Sequence, residues 1–138
     1  MQFDAALATL HLNANKMVQV FVNLLLNAVQ ATPQGGRVIC RTSCPTLEEF
    51  LHRAQVDLPV EDGASPRLII GEILDTGSGI PPHLLSRIFE PFFTTKADLH
   101  GTGLGLSIAR MIVEMHGGGL VISNRPEGGA CACVYFLC

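Results

Sequence analysis

Between residues 15 and 31 the apolar positions recur at helical spacing. The polar residues Lys16, Gln19, Asn23, Asn27 and Gln30 follow one another at steps of three, four, four and three, which makes one continuous stripe. The pattern predicts a long helix that Thr32-Pro33 ends, because the residue before proline avoids the α region. Residues 5 to 12 and 37 to 42 read as strands on either side of it, the second reached through the turn Gln34-Gly35-Gly36. Residues 43 to 66 are polar and contain prolines. Within them Thr46-Leu-Glu-Glu49 fits a capping box for a short helix to about Ala54, so the stretch reads as an insertion or long connection. Residues 67 to 74, RLIIGEIL, are the strongest strand and apolar enough for the centre of a sheet.

The sequence DTGSGIPP breaks that strand, and a short helix is expected from about Pro82 to Phe89, stopped by Pro91. Residues 94 to 102 lack periodicity and read as a mobile loop. A second long helix is expected from Leu104 to His116, ended by Gly117-Gly118-Gly119. Residues 120 to 124 and 130 to 137 complete a hairpin around Arg125-Pro-Glu-Gly-Gly129. Helices segregated beside a mixed, mostly antiparallel sheet give the α+β class, a two-layer α/β sandwich.

A chain of 138 residues is expected to form one domain, residues 1–138, around one core. Hydrophobic residues at 48% and charged residues at 15% place it among folded globular chains. A net charge of −3 removes nucleic acid and anionic membranes from the partners that composition suggests, so any phosphate must be bound locally. No run of 18 apolar residues is present, and Asp4 stands where a signal peptide would be basic; the chain therefore reads as soluble and intracellular. Five cysteines without a CxxC pair argue against a disulfide framework or zinc ribbon. Cys131 and Cys133 share one strand face and read as small fillers.

Three groups of residues could carry chemistry. The stripe on the first long helix could simply be solvated. Asn, however, costs helix propensity where Glu or Lys would not, and so favours a ligand. Asp75-Thr-Gly77-Ser-Gly79-Ile80 sits at the carboxyl end of the strongest strand. There a carboxylate can accept from an amino group such as adenine N6, and glycines let backbone approach a flat ring. An ordinary Asx-type turn and half of a dimeric aspartic-protease dyad are the competing readings; two long helices around the motif disfavour the second. Gly101-Thr102-Gly103-Leu104-Gly105-Leu106-Ser107 opens the second long helix, where free N–H groups and the dipole favour phosphate. It is neither a P-loop, since no Lys follows the last Gly, nor a Rossmann fingerprint, since Leu106 stands where Gly is needed. A metal site, a base-reading site and a phosphate site together describe Mg·ATP, because Mg²⁺ needs few protein oxygens.

In order along the chain, VNLLLNAVQAT, DTGSGI, IFEPFFTTK and GTGLGLSIA resemble the N, G1, F and G2 boxes of the catalytic ATP-binding domain of sensor histidine kinases. That domain belongs to the wider superfamily with gyrase B, Hsp90 and MutL, which share the Bergerat-type ATP-binding fold. HGGGLVISN and the closing hairpin also resemble the family's C-terminal end. The resemblance implies Asn27 as the Mg²⁺ ligand, with Asn23 one turn earlier in a catalytic and nucleotide-binding position. It implies Asp75 as reader of the adenine amino group, with Gly77, Gly79 and Ile80 bordering the base. Gly101, Thr102, Gly103, Leu104, Gly105 and Leu106 would surround the phosphates. Phe89, Phe92 and Phe93 would anchor a lid whose mobile part includes Thr94, Thr95 and Lys96, with Lys96 neutralising phosphate charge or standing as a solvated loop cation.

Gln30 and Ala31 depart from the Lys or Arg and Tyr that many relatives carry, and Ala130 replaces a common Thr. None of His11, His52, His83, His100 or His116 has the setting of a phosphoacceptor, so the chain is expected to be a fragment. What the resemblance implies is transfer of the ATP γ-phosphoryl group to a histidine on a separate dimerisation domain, with a response regulator downstream. The location implied is cytoplasmic, within a full-length protein that can be membrane-anchored. A serine kinase of the anti-sigma type and a non-catalytic nucleotide-binding module are the alternatives; the F box and long lid favour the histidine kinase.

Overall fold

The computed structural model describes residues 10–54, 67–94 and 102–138. The first helix, α1 (Ala14–Ala31), begins where the side chain of Asn13 accepts from the Lys16 N–H at 3.1 Å, a cap that satisfies one otherwise orphaned donor. Met17, Val20, Leu24 and Ala28 form its buried stripe. It stops at Thr32, which is extended at φ −85° and ψ 124° ahead of Pro33. Strand β1 (Val38–Ser43) follows, then α2 (Leu47–Ala54). The capping box at the start of α2 forms as expected: Thr46 N–H donates to Glu49 Oε2 at 2.9 Å and Glu49 N–H donates to Thr46 Oγ1 at 3.2 Å. Strand β2 (Leu68–Asp75), helix α3 (Gly105–Met115) and strands β3 (Gly118–Asn124) and β4 (Ala130–Leu137) complete the described elements.

The four strands are ordered β1-β2-β4-β3 and pair antiparallel throughout, so the most apolar strand is internal, as its composition requires. Register places Ile73 between Cys40 and Ala132, and Leu120 beside Val134, on the face that α1 and α3 cover. Val20, Leu24, Val113 and Val134 are among the most deeply buried side chains of that layer. Gly71 leaves room for Phe21 of α1, whose ring would lie 2.9 Å from any Cβ added there. Tyr135 points to the opposite face, where the Phe50 ring of α2 packs on it at a centroid distance of 5.5 Å. The α+β sandwich is therefore as expected, with α2 added on the far face.

Three expected elements differ. Of the strand expected at residues 5 to 12, residues 1–9 lie outside the described part, and Leu10–Leu12 are not in a strand. Leu10 and Leu12 instead pack against the helical layer, because the backbone must turn into the Asn13 cap, whose N–H donates to His116 Nε2 at 3.4 Å. The helix expected at 82 to 89 shrinks to one 3-10 turn, Pro82–Leu84, followed by turns such as Arg87 N–H to Leu84 C=O at 2.8 Å. A segment this short, hemmed in by Pro81 and Pro91, cannot recover the cost of helix nucleation. Only Gly117, at φ +74°, ends α3; Gly118 and Gly119 are strand residues that make room for the rings of Phe136 and Tyr135. No helix among the described residues is long and apolar enough to cross a membrane.

Candidate functional site

The stripe on α1 is not uniform. Lys16, Gln19 and Gln30 are exposed, whereas Asn23 and Asn27 are half-buried where the helix faces α3 and the end of β2. Asn23 Nδ2 donates to the Gly105 carbonyl in the first turn of α3 at 3.2 Å, so one of the two amides that seemed to await a ligand is partly satisfied by the protein. The Asn27 side chain makes no hydrogen bond among the described residues. At the C-terminal end of α1, the Ala31 carbonyl lies so close to Gly77 that an added Cβ would collide with it. Thus α1 touches the glycine-rich helix start from its middle, through Asn23, and the Asp-Thr-Gly loop at its C-terminal end. The two contact points, Asn23 and Ala31, are about 12 Å apart along the axis, and Asn27 stands midway.

Asp75 closes β2 and is the one buried charged residue among the described residues, 5% exposed. Its Oδ1 accepts from Gly77 N–H at 2.8 Å and from Ala130 N–H at 3.2 Å. Its Oδ2 has no hydrogen-bond partner among the described residues. That oxygen is not sealed from solvent, so it stands open to a donor from outside the chain. Ala130, whose missing hydroxyl marked a departure from the family pattern, thus serves through its backbone. Gly79 is at φ +73°, where an L side chain is strained, and Ile80 lies on the outer end of the loop.

Two residues of the closing hairpin, Asn124 at the end of an expected strand and Arg125 at the start of the expected turn, hold this loop. Asn124 accepts from Ile80 N–H through Oδ1 at 2.7 Å and donates from Nδ2 to Ile80 C=O at 2.7 Å. Arg125 donates from Nη1 to the Asp75 carbonyl at 2.7 Å and from Nη2 to Glu127 Oε1 at 2.7 Å, and the resulting pairing holds the Glu127 carboxyl below its usual range. These contacts span 44 and 50 residues, and no local signal in a turn-like Asn-Arg-Pro-Glu-Gly-Gly stretch announces them.

At the other end, α3 starts at Leu104 without a side-chain cap. The N–H groups of Gly105, Leu106 and Ser107 are first-turn donors with no partner among the described residues, so they and the helix dipole favour an anion. Thr102 Oγ1 accepts from Leu104 N–H at 3.4 Å. Gly103, at φ +66°, lies against the Phe92 backbone, which an added Cβ would strike. Thr94 is half-buried, while Thr95, Lys96 and Gly101 lie outside the described residues.

Two of the three phenylalanines expected as anchors pack against other described side chains. Phe89 packs against the core and under Arg110, whose guanidinium carbon is 4.9 Å from the ring, and Phe93 lies under Arg87 at 4.7 Å. Phe92 does not: it is 74% exposed and sits at φ 65°, a left-handed conformation that turns its side chain outward. Among the described residues no cluster of three or more His, Cys, Asp or Glu could hold a metal ion. A metal here would have to rest on an amide oxygen and on ligand oxygens.

Comparison with known proteins identifies the family and the fold. The family described as "Histidine kinase-, DNA gyrase B-, and HSP90-like ATPase" matches residues 12–137. The chain is 35% identical over 127 residues to the sensory histidine kinase/phosphatase NtrB of Azospirillum brasilense, covering 91% of this chain and 30% of that protein. It is 44% identical over 111 residues to the sensor kinase CckA of Brucella abortus, covering 80% of this chain and 11% of that protein. The chain therefore spans less than a third of these curated relatives. Among solved structures, the nucleotide-free catalytic domain of the histidine kinase ThkA superposes with a TM-score of 0.71 at 28% identity, covering 99% of this chain and 76% of that one. Full-length ShkA in complex with AMPPNP gives 0.69 at 26% identity, covering 96% of this chain and 24% of that one.

Proposed function

The chain belongs to the histidine kinase-, DNA gyrase B- and HSP90-like ATPase family, and on that premise we propose that it is the catalytic ATP-binding part of a sensor histidine kinase. In this reading it binds Mg·ATP and presents the γ-phosphoryl group to a histidine on a separate dimerisation domain, whose phosphoryl group a response regulator then takes. The reading puts the domain in the cytoplasm. The observation that carries it is the pair of unsatisfied groups at the two ends of one bridge: the Asp75 Oδ2 and the uncapped start of α3, joined through α1.

Asp75 Oδ2 accepts from the adenine 6-amino group, and Gly77, Gly79 and Ile80 border the ring. The first-turn N–H groups of α3 take phosphate oxygens, with Gly101, Thr102, Gly103, Leu104, Gly105 and Leu106 lining that end. Asn23 positions α3 through its bond to Gly105. Asn27 suits Mg²⁺, because that ion keeps most of its coordination for water and phosphate oxygens and asks for few protein ligands. When bound, the ion supplies charge neutralisation on the phosphates. Thr94, Thr95 and Lys96 belong to the lid side, with Lys96 as a further cation toward the phosphates. The work of the domain is positioning and electrostatic stabilisation, while the partner supplies the nucleophile.

Incubating this chain with γ-labelled ATP and a dimerisation domain of a related kinase tests the proposal. Label is expected on the acceptor histidine, and Asp75→Asn is expected to reduce it at least tenfold at limiting ATP. Intact ATP binding without transfer to any supplied histidine would contradict the kinase reading and favour a nucleotide-binding module.

A further inference from the structure

The base-side loop is tied at Thr76 to Arg37, whose N–H donates to Thr76 Oγ1 at 2.8 Å, and is otherwise held at two points by a single hairpin. Its inner end is held where Arg125 donates to the Asp75 carbonyl and Ala130 N–H donates to the Asp75 carboxylate. Its outer end is held by Asn124, whose amide occupies both backbone polar groups of Ile80 at 2.7 Å each. Asn124 is exposed, and an exposed amide would ordinarily be left to water. Here it is committed twice to one residue 44 positions away, in the way that a strand neighbour would be. Gly79 allows the approach: its φ of +73° swings the loop inward, and a Cβ there would stand 2.9 Å from Asn124 Oδ1. Beyond Ile80 come Pro81 and Pro82, which have no N–H to hold the chain. Asn124 is thus the described tether at the outer end of the loop.

We propose that Asn124 is a positioning residue for base selection: its amide fixes the Gly77–Ile80 loop against the ring, so that the unpaired Asp75 oxygen can tell a 6-amino purine from a purine without that group. The proposal rests on the reading of Asp75 as the adenine contact. Its chemistry is that of a directed acceptor, because a carboxylate rewards the amino group only if the ring edge is held in line with it. Without the Asn124 tether the ring gains freedom to tilt, and the reward falls while the phosphate contacts persist. Arg125 is a poorer probe. Its Nε is buried without a partner, and removing its side chain would disturb packing as well as the loop.

The test compares, by titration calorimetry on the whole chain with Mg²⁺ present, the affinities for ATP and for purine riboside triphosphate, which carries hydrogen in place of the 6-amino group. The unmodified protein is expected to favour ATP about tenfold or more. Asn124→Ala is expected to bring the ratio to about twofold while changing purine riboside triphosphate affinity by less than about threefold. Asn124→Asp keeps the acceptor for Ile80 N–H but sets an oxygen against Ile80 C=O, so an intermediate ratio is expected. Asn124→Ala retaining the full ratio, or weakening both nucleotides equally, would overturn the positioning role and leave Asp75 in place. A ratio near one in the unmodified protein would overturn the Asp75 reading and this proposal with it.

Discussion

Where α1 ends, nearly every polar group is already spoken for: Asp75 Oδ1 has two backbone donors, its carbonyl has Arg125, and Ile80 has Asn124 on both sides. Toward α3 the protein leaves more of its groups open, the Asn23 bond to Gly105 aside. The Asn27 side chain makes no hydrogen bond among the described residues, and α3 begins without a side-chain cap. The contrast suits two kinds of recognition. In the proposed reading, a flat base is selected by a rigid frame with one unpaired oxygen, and a chain of phosphates, variable in length and in metal content, is met by donors that the protein has not used. Substitutions at the base end should therefore cost folding as well as binding, and those at the phosphate end chiefly binding.

The largest expected effect is at Gly129, which holds φ +84° and abuts the Asp75 carbonyl, so that an added Cβ would clash with backbone. Gly129→Ala is expected to cost about 3 kcal/mol in urea unfolding. An unchanged midpoint would break the picture of a rigid base end. Asp75→Asn comes next. Its remaining oxygen can still receive Gly77 and Ala130, but the amide can present its NH₂ where an acceptor is wanted, so ATP affinity is expected to fall by about 1.5–3 kcal/mol. At the phosphate end the same kind of change as at Gly129 reverses sign. A Cβ on Gly105 would meet Asn23 only at 3.7 Å, an ordinary contact, so Gly105→Ala is expected to stabilise by about 0.5 kcal/mol. Opposite signs for the two Gly→Ala changes would sharpen the comparison, and equal signs would erase it.

The smallest effect at neutral pH belongs to the sheet behind the base end. Burial, then Glu72, raises the Cys131 thiol from 9.0 to about 11, and burial, then Glu72, raises Cys133 from 9.0 to about 12. Both thiols remain protonated when folded between pH 9 and 11, where an unfolded chain would release their protons. Their contribution is thus fully present below pH 9 and is lost as pH rises toward 11–12. Urea midpoints for the native chain and for Cys131→Ala/Cys133→Ala, followed from pH 7 to 10.5, should diverge only above pH 9.

Local patterns made much of this visible in advance. The stripe of α1, the apolar run of β2 and the capping box of α2 are signals written within a few residues, and each produced the element expected. Leu10–Leu12 misled because two leucines flanking a histidine alternate as a strand would, although here they rest on the helical layer. The stripe itself overstated the site: three of its five members face solvent, and Asn23 is tied to Gly105. Asn124 and Arg125 were illegible for a different reason. Their partners lie 44 and 50 residues away, and neither a polar strand end nor a turn arginine carries a local sign of such contacts.

Asn27, a half-buried amide for whose side chain no described residue supplies a partner, is the proposed Mg²⁺ ligand between the two ends. Titration calorimetry of ATP with and without Mg²⁺, on the native chain and on Asn27→Ala, tests it most directly. The native chain is expected to bind ATP at least about tenfold more tightly with Mg²⁺, and Asn27→Ala to lose that gain while keeping its metal-free affinity and its unfolding midpoint. Full retention of the Mg²⁺ dependence in Asn27→Ala would contradict the assignment.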